Sequence, residues 1–229
     1  MLPLHERLQR VVEILKISNK QLDEFRAAED TGFVSFWPEK TLLAVEELVK
    51  IRPPPGISVD LGCGNGVWLL LAAAAGYDSY GIEIHPGLVE CAQENLERAR
   101  FEGLIPDGVK VEVAVGNFYP PKEKAAMIAY RDERNENPSS MPWEEDIAWD
   151  HMPIAMQDVD IVYCWAWPGQ SRFLYNWLER DAPKDAIFAL PAYLRYTQGE
   201  HMNASFHEPN KLVLTKLNES DVFLGKRAE

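Results

Sequence analysis

Residues 59–66 read Val-Asp-Leu-Gly-Cys-Gly-Asn-Gly, with glycines at three alternate positions, Gly62, Gly64 and Gly66. An apolar β-forming run, residues 57–61, leads into them, and an apolar run with helix-forming composition, residues 67–75, follows at once. That order predicts a strand, a tight turn and the start of a helix. Glycine lets a backbone take a left-handed turn and approach a ligand with no Cβ in the way. The helix start adds backbone N–H groups and a partial positive charge. Together these features describe a pocket for a nucleoside carrying an anionic group.

The glycine spacing narrows the ligand. A dinucleotide fingerprint, G-x-G-x-x-G, needs its third glycine three places after the second, where this chain has Val67. The pattern here is D-x-G-x-G-x-G, with Asp60 two places before the first glycine. It resembles motif I of the class I S-adenosylmethionine (SAM) methyltransferases. Asp60 suits that cofactor: its carboxylate attracts the ammonium of the methionine end and would repel a pyrophosphate. The resemblance implies a cofactor site built from Asp60, Gly62, Cys63, Gly64 and Gly66.

A second strand, with residues 78–85 as its run, ends at Glu83, 21 residues after Gly62. An acid there is placed to accept hydrogen bonds from the two hydroxyls of a ribose. Glu83 and its neighbour Ile84 join the expected cofactor set. An exposed strand-end charge would explain Glu83 alone, but not its pairing with the glycine turn.

The chain has 229 residues, enough for one domain with a full core. Its net charge of −13 argues against broad nucleic-acid binding, which depends on basic surface, and favours basic partners such as lysine-rich protein segments. Acidity that only keeps the protein soluble is the competing explanation. Three cysteines without a C-x-x-C pair, and five histidines without metal-ligand spacing, point to a reducing, cytoplasmic setting and no metal site. No basic start followed by an apolar core marks a signal peptide, and no apolar stretch is long enough to span a bilayer.

Along the chain, residues 4–29 keep a three-four apolar spacing. Ser18 with Gln21 reads as a capping box that starts a second short helix. A helix opening at Pro38 ends before Pro53-Pro54-Pro55-Gly56. A further helix opens at Pro86, strand three is expected over 109–115, strand four over 159–164, a helix near 171–180 and strand five over 186–190. Runs at 212–217 and 222–225 read as a closing hairpin. The expected fold is α/β: a doubly wound, mostly parallel sheet, seven-stranded with a C-terminal antiparallel hairpin as the resemblance implies, and N-terminal helices. One domain is expected, with residues 1–52 as a helical cap packed on the sheet. Residues 118–157 are expected to be an irregular insertion between strands three and four. Its five prolines, two tryptophans (Trp143, Trp149) and acids at 144–146 suggest a lid or an acceptor-docking segment.

Ligands of open α/β sheets lie beyond the carboxyl ends of the strands. Asn117 and Phe118 end strand three. The superfamily commonly has an acid at the first of these places, accepting from the adenine amino group. Asn117 can still accept through its amide oxygen, and Phe118 can stack on the base. Strand four runs into Tyr163-Cys-Trp-Ala-Trp-Pro-Gly169. The Asn/Asp-Pro-Pro-Tyr/Phe motif of exocyclic and amide nitrogen methylation is absent, which disfavours DNA adenine or glutamine as acceptor. Trp165 and Trp167 offer π faces to a cationic centre. Tyr163 and Trp165 are the candidates for a catalytic role, with Glu39 behind them, and Trp165 also joins the cofactor set. Phe36, Trp37 and Trp167 are candidates for acceptor contact.

Phe36-Trp37-Pro38 before a helix, the glycine turn, and Gly-Ile-Glu-Ile-His-Pro-Gly-Leu-Val at 81–89 resemble a subset of non-SET protein-lysine methyltransferases over about half the chain. The resemblance implies SAM-dependent methyl transfer to a protein side-chain amine. A small-molecule acceptor is the alternative, and a non-catalytic SAM-binding scaffold is the alternative of another class.

Overall fold

The computed structural model describes residues 2–26, 37–133, 147–164, 171–191, 212–216 and 222–227. Six helices and seven strands lie within them: α1 Leu4–Arg26, α2 Pro38–Ile51, β1 Ile57–Leu61, α3 Val67–Ala75, β2 Asp78–Glu83, α4 Pro86–Phe101, β3 Val111–Val115, α5 Pro121–Glu133, β4 Ile161–Cys164, α6 Ser171–Asp181, β5 Ile187–Pro191, β6 Leu212–Lys216 and β7 Val222–Arg227. They form one sheet in the order β3-β2-β1-β4-β5-β7-β6. Strands β1 to β5 run parallel, and β7 lies antiparallel to both β5 and β6. The α/β, Rossmann-like architecture expected from the alternating pattern is present.

β1 sits in the middle of the parallel part, between β2 and β4. Val59 and Leu61 face one core, with Val162 and Cys164 of β4 and Trp177 of α6. The alternate residues, Ser58 and Asp60, are buried beneath α3, where Ser58 Oγ accepts from Trp68 Nε1 at 2.9 Å. The opposite core holds α1 to α4. All nine residues of α3 are buried. A helix apolar on every side needs cover on its outer face as well as against the sheet. α1 and α2 supply that cover, packing chiefly on α3, and α2 also meets β7.

Two expectations change. Ser18 starts no new helix; α1 runs unbroken through it, and the residue is buried. A hydroxyl facing inward finds partners across the fold, as described below, and so has no need to cap. Residues 118–157 are also less irregular than expected. Thirteen of them form α5, and two 3-10 turns follow at Ala148–His151 and Met156–Asp158. Tyr119, Met127, Ala148 and Met156 are buried in the α6-side core. Trp149 meets Trp177 edge-on at 5.8 Å and donates from Nε1 to the Phe118 carbonyl at 2.7 Å. Arg180 of α6 pairs with the buried Glu123 of α5. The segment therefore supplies the crossover helix that parallel β3 and β4 require. Trp143 lies outside the described residues.

Strand boundaries move by one or two residues: β3 starts at Val111, β4 at Ile161 and β5 at Ile187. Among the described residues no helix is long and apolar enough to cross a membrane, and no cluster of metal-ligating side chains occurs.

Candidate cofactor site

The glycine turn joins β1 to α3. Gly62, Gly64 and Gly66 all have positive φ, at 80°, 54° and 87°, so the turn needs its glycines. The N–H groups of Gly62 and Cys63 donate to the Ile82 carbonyl of β2 at 2.8 and 3.0 Å, and Gly66 N–H donates to the Cys63 carbonyl at 2.8 Å. The three glycines do different work. A Cβ on Gly62 would meet only Phe118 Cε1, at 3.9 Å, whereas one on Gly66 would collide with Leu70 Cδ1 at 2.6 Å. Gly62 thus leaves space beside Phe118, and Gly66 serves close helix packing. Gly81 of β2 serves the same kind of purpose, because its missing side chain makes room for the Cys63 thiol.

Asp60 is 2% exposed. Its Oδ2 accepts from the Leu69 N–H in the first turn of α3, at 3.2 Å. One donor of the helix start is thus already taken, a capping role that the motif does not announce. Its Oδ1 is buried and has no hydrogen-bond partner among the described residues. Burial, set against the Leu69 hydrogen bond and reinforced by the Glu83 charge, pushes the Asp60 carboxyl up to about 8.

Glu83 is buried at the end of β2. Its Oε2 accepts from Gly64 N–H at 2.9 Å, and its Oε1 from the N–H groups of Ile84 and His85 at 2.8 and 3.0 Å. The carboxylate ties the glycine turn to the chain leaving β2. A carboxylate has about four lone-pair positions, so one acceptor position remains.

Asn117 and Phe118 come to the same place from β3. Asn117 is buried, and its Oδ1 accepts from Tyr119 N–H at 2.8 Å. One of that oxygen's two lone pairs is thus already taken. A backbone N–H can bond only the oxygen, so the nitrogen must point the other way, and the buried Nδ2 has no partner among the described residues. Asn117 thus offers an unbonded donor besides the second lone pair of its oxygen.

Two proposed catalytic groups are corrected. Tyr163 is buried in β4 and stacks on Trp68 at 4.5 Å and 8°, facing the α3-side core, and burial pushes its hydroxyl well above the ordinary tyrosine range. It pairs in register with Asp60 and faces the same side of the sheet, where its ring is held against Trp68. Glu39 is bound to Lys16 at 2.8 Å, and that hydrogen bond holds its carboxyl below the usual range, so it is a poor base. Trp37 precedes α2 and is 63% exposed. Phe36, Trp165 and Trp167 lie outside the described residues.

Two further features escaped sequence reasoning. His85, which precedes α4, has a buried Nε2 without a partner among the described residues. A polar network also holds the turn from outside: Asn65 Nδ2 donates to Asn19 Oδ1 at 2.8 Å and to Ser18 Oγ at 3.2 Å, and Asn95 Nδ2 donates to Ser18 Oγ and to the Asn65 carbonyl, both at 3.0 Å. An asparagine inside a glycine turn was the one available hint.

Comparison with known proteins agrees with this geometry. Residues 59–124, the segment from β1 into α5, match the family model described as a methyltransferase domain. Over that segment the chain is similar to class I SAM-dependent methyltransferases. Among curated relatives, the ribosomal protein L11 methyltransferase of Paraburkholderia xenovorans is 36% identical over 97 residues, covering 39% of this chain and 32% of the relative. That of Burkholderia cenocepacia is 38% identical over 98 residues, with the same coverage. The chain thus spans about a third of the length of these relatives. Among solved structures, a methyltransferase from Geobacter sulfurreducens superposes with a TM-score of 0.55 at 19% identity, covering 93% of this chain and 88% of that one. A putative SAM-dependent methyltransferase from Methanococcus maripaludis gives 0.54 at 11% identity, covering 94% and 93%. These likenesses concern the fold.

The residues present fit the cofactor of this superfamily. Among the described residues, Asp60 Oδ1 and Asn117 Nδ2 are buried polar atoms lacking partners, and a Cβ on Gly62 would make only ordinary van der Waals contact with Phe118. Buried polar groups are otherwise almost always paired.

Proposed function

We propose that the chain is an enzyme that transfers the methyl group of SAM to a protein side-chain amine. The observation that carries the cofactor half is the pair of unpartnered buried atoms, an acceptor on Asp60 and a donor on Asn117, on either side of a positive-φ glycine turn. Asp60 Oδ1 would receive the ammonium of the methionine end. Glu83 would use its remaining acceptor position for one ribose hydroxyl. Asn117 Nδ2 would donate to a ring nitrogen of adenine, and Phe118 would pack against the base. Cys63 and Ile84, with the turn backbone of Gly62, Gly64 and Gly66, would complete the lining.

Bound SAM supplies a methyl group on a sulfonium, ready for in-line displacement. The chain's own residues then hold the cofactor, orient the acceptor and exclude water. No general base is assigned. With Tyr163 in the core and Glu39 in an ion pair, an amine acceptor would lose its proton to solvent before attack.

A protein acceptor is supported by the chain's net charge of −13, which favours basic segments, and by relatives named for a protein substrate. Trp37 is exposed at the start of α2 and available to an acceptor; Phe36, Trp165 and Trp167 remain candidates by position. The reading treats the chain as one domain on the seven-stranded scaffold with its C-terminal hairpin, with residues 1–52 as a helical cap and residues 118–157 on the acceptor side. Three free cysteines support a reducing, cytoplasmic setting.

Two measurements test this. Calorimetry should show binding of SAM and of its demethylated product and none of NAD; the reverse result refutes the cofactor. Labelled methyl transfer to a cell extract should enter protease-sensitive material. Label only in the small-molecule fraction would favour the small-molecule alternative, and binding without transfer would indicate a scaffold.

A further inference from the structure

Resting on the SAM reading, we propose that Asp60 exchanges its own proton for the ligand's ammonium. Binding of SAM or its demethylated product then releases close to one proton near neutral pH, and a nucleoside without an ammonium releases none.

The argument starts from the surroundings of Asp60. Its neighbour in register on β2 is Gly81, and on β4 it is Tyr163. α3 covers it and supplies one hydrogen bond, from the Leu69 amide to Oδ2. The ionisable groups coupled to it are Glu83 at the end of β2, Cys63 in the turn, and Tyr163 and Cys164 on β4. Each is either acidic or neutral. Burial and the Cys63, Tyr163 and Cys164 contacts offer no counter-charge, and Glu83 opposes a second negative charge. Ionising a buried carboxyl in such a place is costly, and the proton stays on. Its position at about 8 is the quantitative form of this.

An ammonium seated at Oδ1 reverses the balance. An opposite charge within a few ångströms, in a site cut off from water, stabilises the carboxylate. The proton passes to solvent and the ligand keeps its own three. The charge balance is one neutral acid and one cation before binding, an ion pair after it, and one proton in the buffer. With the free carboxyl at about 8, release at pH 7 should be about 0.9 proton per ligand. Affinity should rise nearly tenfold per pH unit between pH 6 and 7.5.

The demethylated product is the better probe, because it has the ammonium but no sulfonium. Calorimetry at pH 7 in two buffers of different ionisation enthalpy counts the protons released. About 0.9 is expected with S-adenosylhomocysteine, and about zero with 5′-methylthioadenosine, which lacks the amino-acid end. Asp60→Asn should abolish the release and flatten the pH dependence of affinity. The wild-type contrast between the two nucleosides stands even where that variant folds poorly. Tight binding of S-adenosylhomocysteine with no proton release, equal release with both nucleosides, or release that persists in Asp60→Asn would each overturn the inference and leave the SAM reading standing. No binding of SAM or S-adenosylhomocysteine would overturn both.

Discussion

The two ends of the parallel sheet each hold a buried or half-buried aspartate, and they treat it in opposite ways. At the amino end Asp160, just before β4, accepts from Ile57 N–H at 2.8 Å through Oδ2 and pairs with Arg52 through Oδ1. Arg52 also reaches Asp185 at 3.1 Å, and its carbonyl accepts from the Tyr77 hydroxyl. Asp160, Arg52 and Asp185 are all paired there. At the carboxyl end Asp60 has one oxygen bonded and one without a partner, and the side chains of Asn117 and His85 each keep an unpartnered nitrogen. Pairing at one end stabilises the fold. Incomplete pairing at the other costs stability and leaves polar atoms for a ligand, at the end of the sheet where α/β folds bind one.

The comparison breaks first at Glu83 if the carboxyl end is purely for ligand. Three backbone amides depend on its carboxylate. Glu83→Ala should therefore cost about 3–5 kcal/mol of stability in urea unfolding, besides weakening SAM binding. Glu83→Gln, with one oxygen kept, should recover part of it. A melt unchanged in Glu83→Ala would mean that Glu83 acts on the ligand alone.

Asp160→Ala probes the opposite end. It leaves Arg52 with only Asp185 and Ile57 N–H with no acceptor, at an expected cost of about 2 kcal/mol. SAM affinity should stay within twofold, since the site is at the far end of β1. A tenfold loss of affinity with the fold intact would show that the two ends are not independent.

Asp60→Asn should act in the other direction on stability. The folded carboxyl is raised from 3.8 to about 8, so the folded chain binds the extra proton between those values. Its contribution is whole below about pH 4 and is lost as pH rises through 8. The amide can still accept from Leu69 N–H and never has to ionise. At pH 8.5 the ligand-free variant should melt above the wild type, and the gap should close as pH falls toward 4. A variant less stable than the wild type at both pH values would mean that the carboxylate has a counter-charge in the free protein.

What was legible in the sequence follows from locality. Residues 57–83 were readable because strand, turn and helix are neighbours along the chain, and because a positive-φ turn restricts residue type. The acid at Glu83 was readable for position, but its three amide partners depend on how the turn folds back. Tyr163 misled because its burial depends on stacking against Trp68 of α3, far away along the chain. Residues 118–157 misled because five prolines and a cluster of acids hide the α5 helix between them, and Met127 and Trp149 find their core partners on α6. Which end of the Asn117 amide is left unbonded was not legible, since that depends on a hydrogen bond to Tyr119 two residues on.

The smallest expected effect belongs to Ser18, which ties α1 to the carboxyl end from outside the sheet. Its hydroxyl accepts from Asn65 in the glycine turn and from Asn95 on α4. Ser18→Ala removes one acceptor from two buried donors. Neither donor is stranded: Asn65 Nδ2 keeps Asn19 Oδ1, and Asn95 Nδ2 keeps the Asn65 carbonyl. The cost should therefore be about 1 kcal/mol, well short of the cost of unpaired buried groups. The turn itself remains held by Ile82 and Cys63 carbonyls and by Glu83, so SAM affinity should fall less than threefold. Calorimetry and unfolding of the same variant separate two roles for α1. Loss of stability alone makes it a brace for α3. A loss of affinity beyond tenfold at unchanged stability would make the Ser18 contact part of the ligand site's alignment, and would extend the incompletely paired end of the sheet outward to the N-terminal helix.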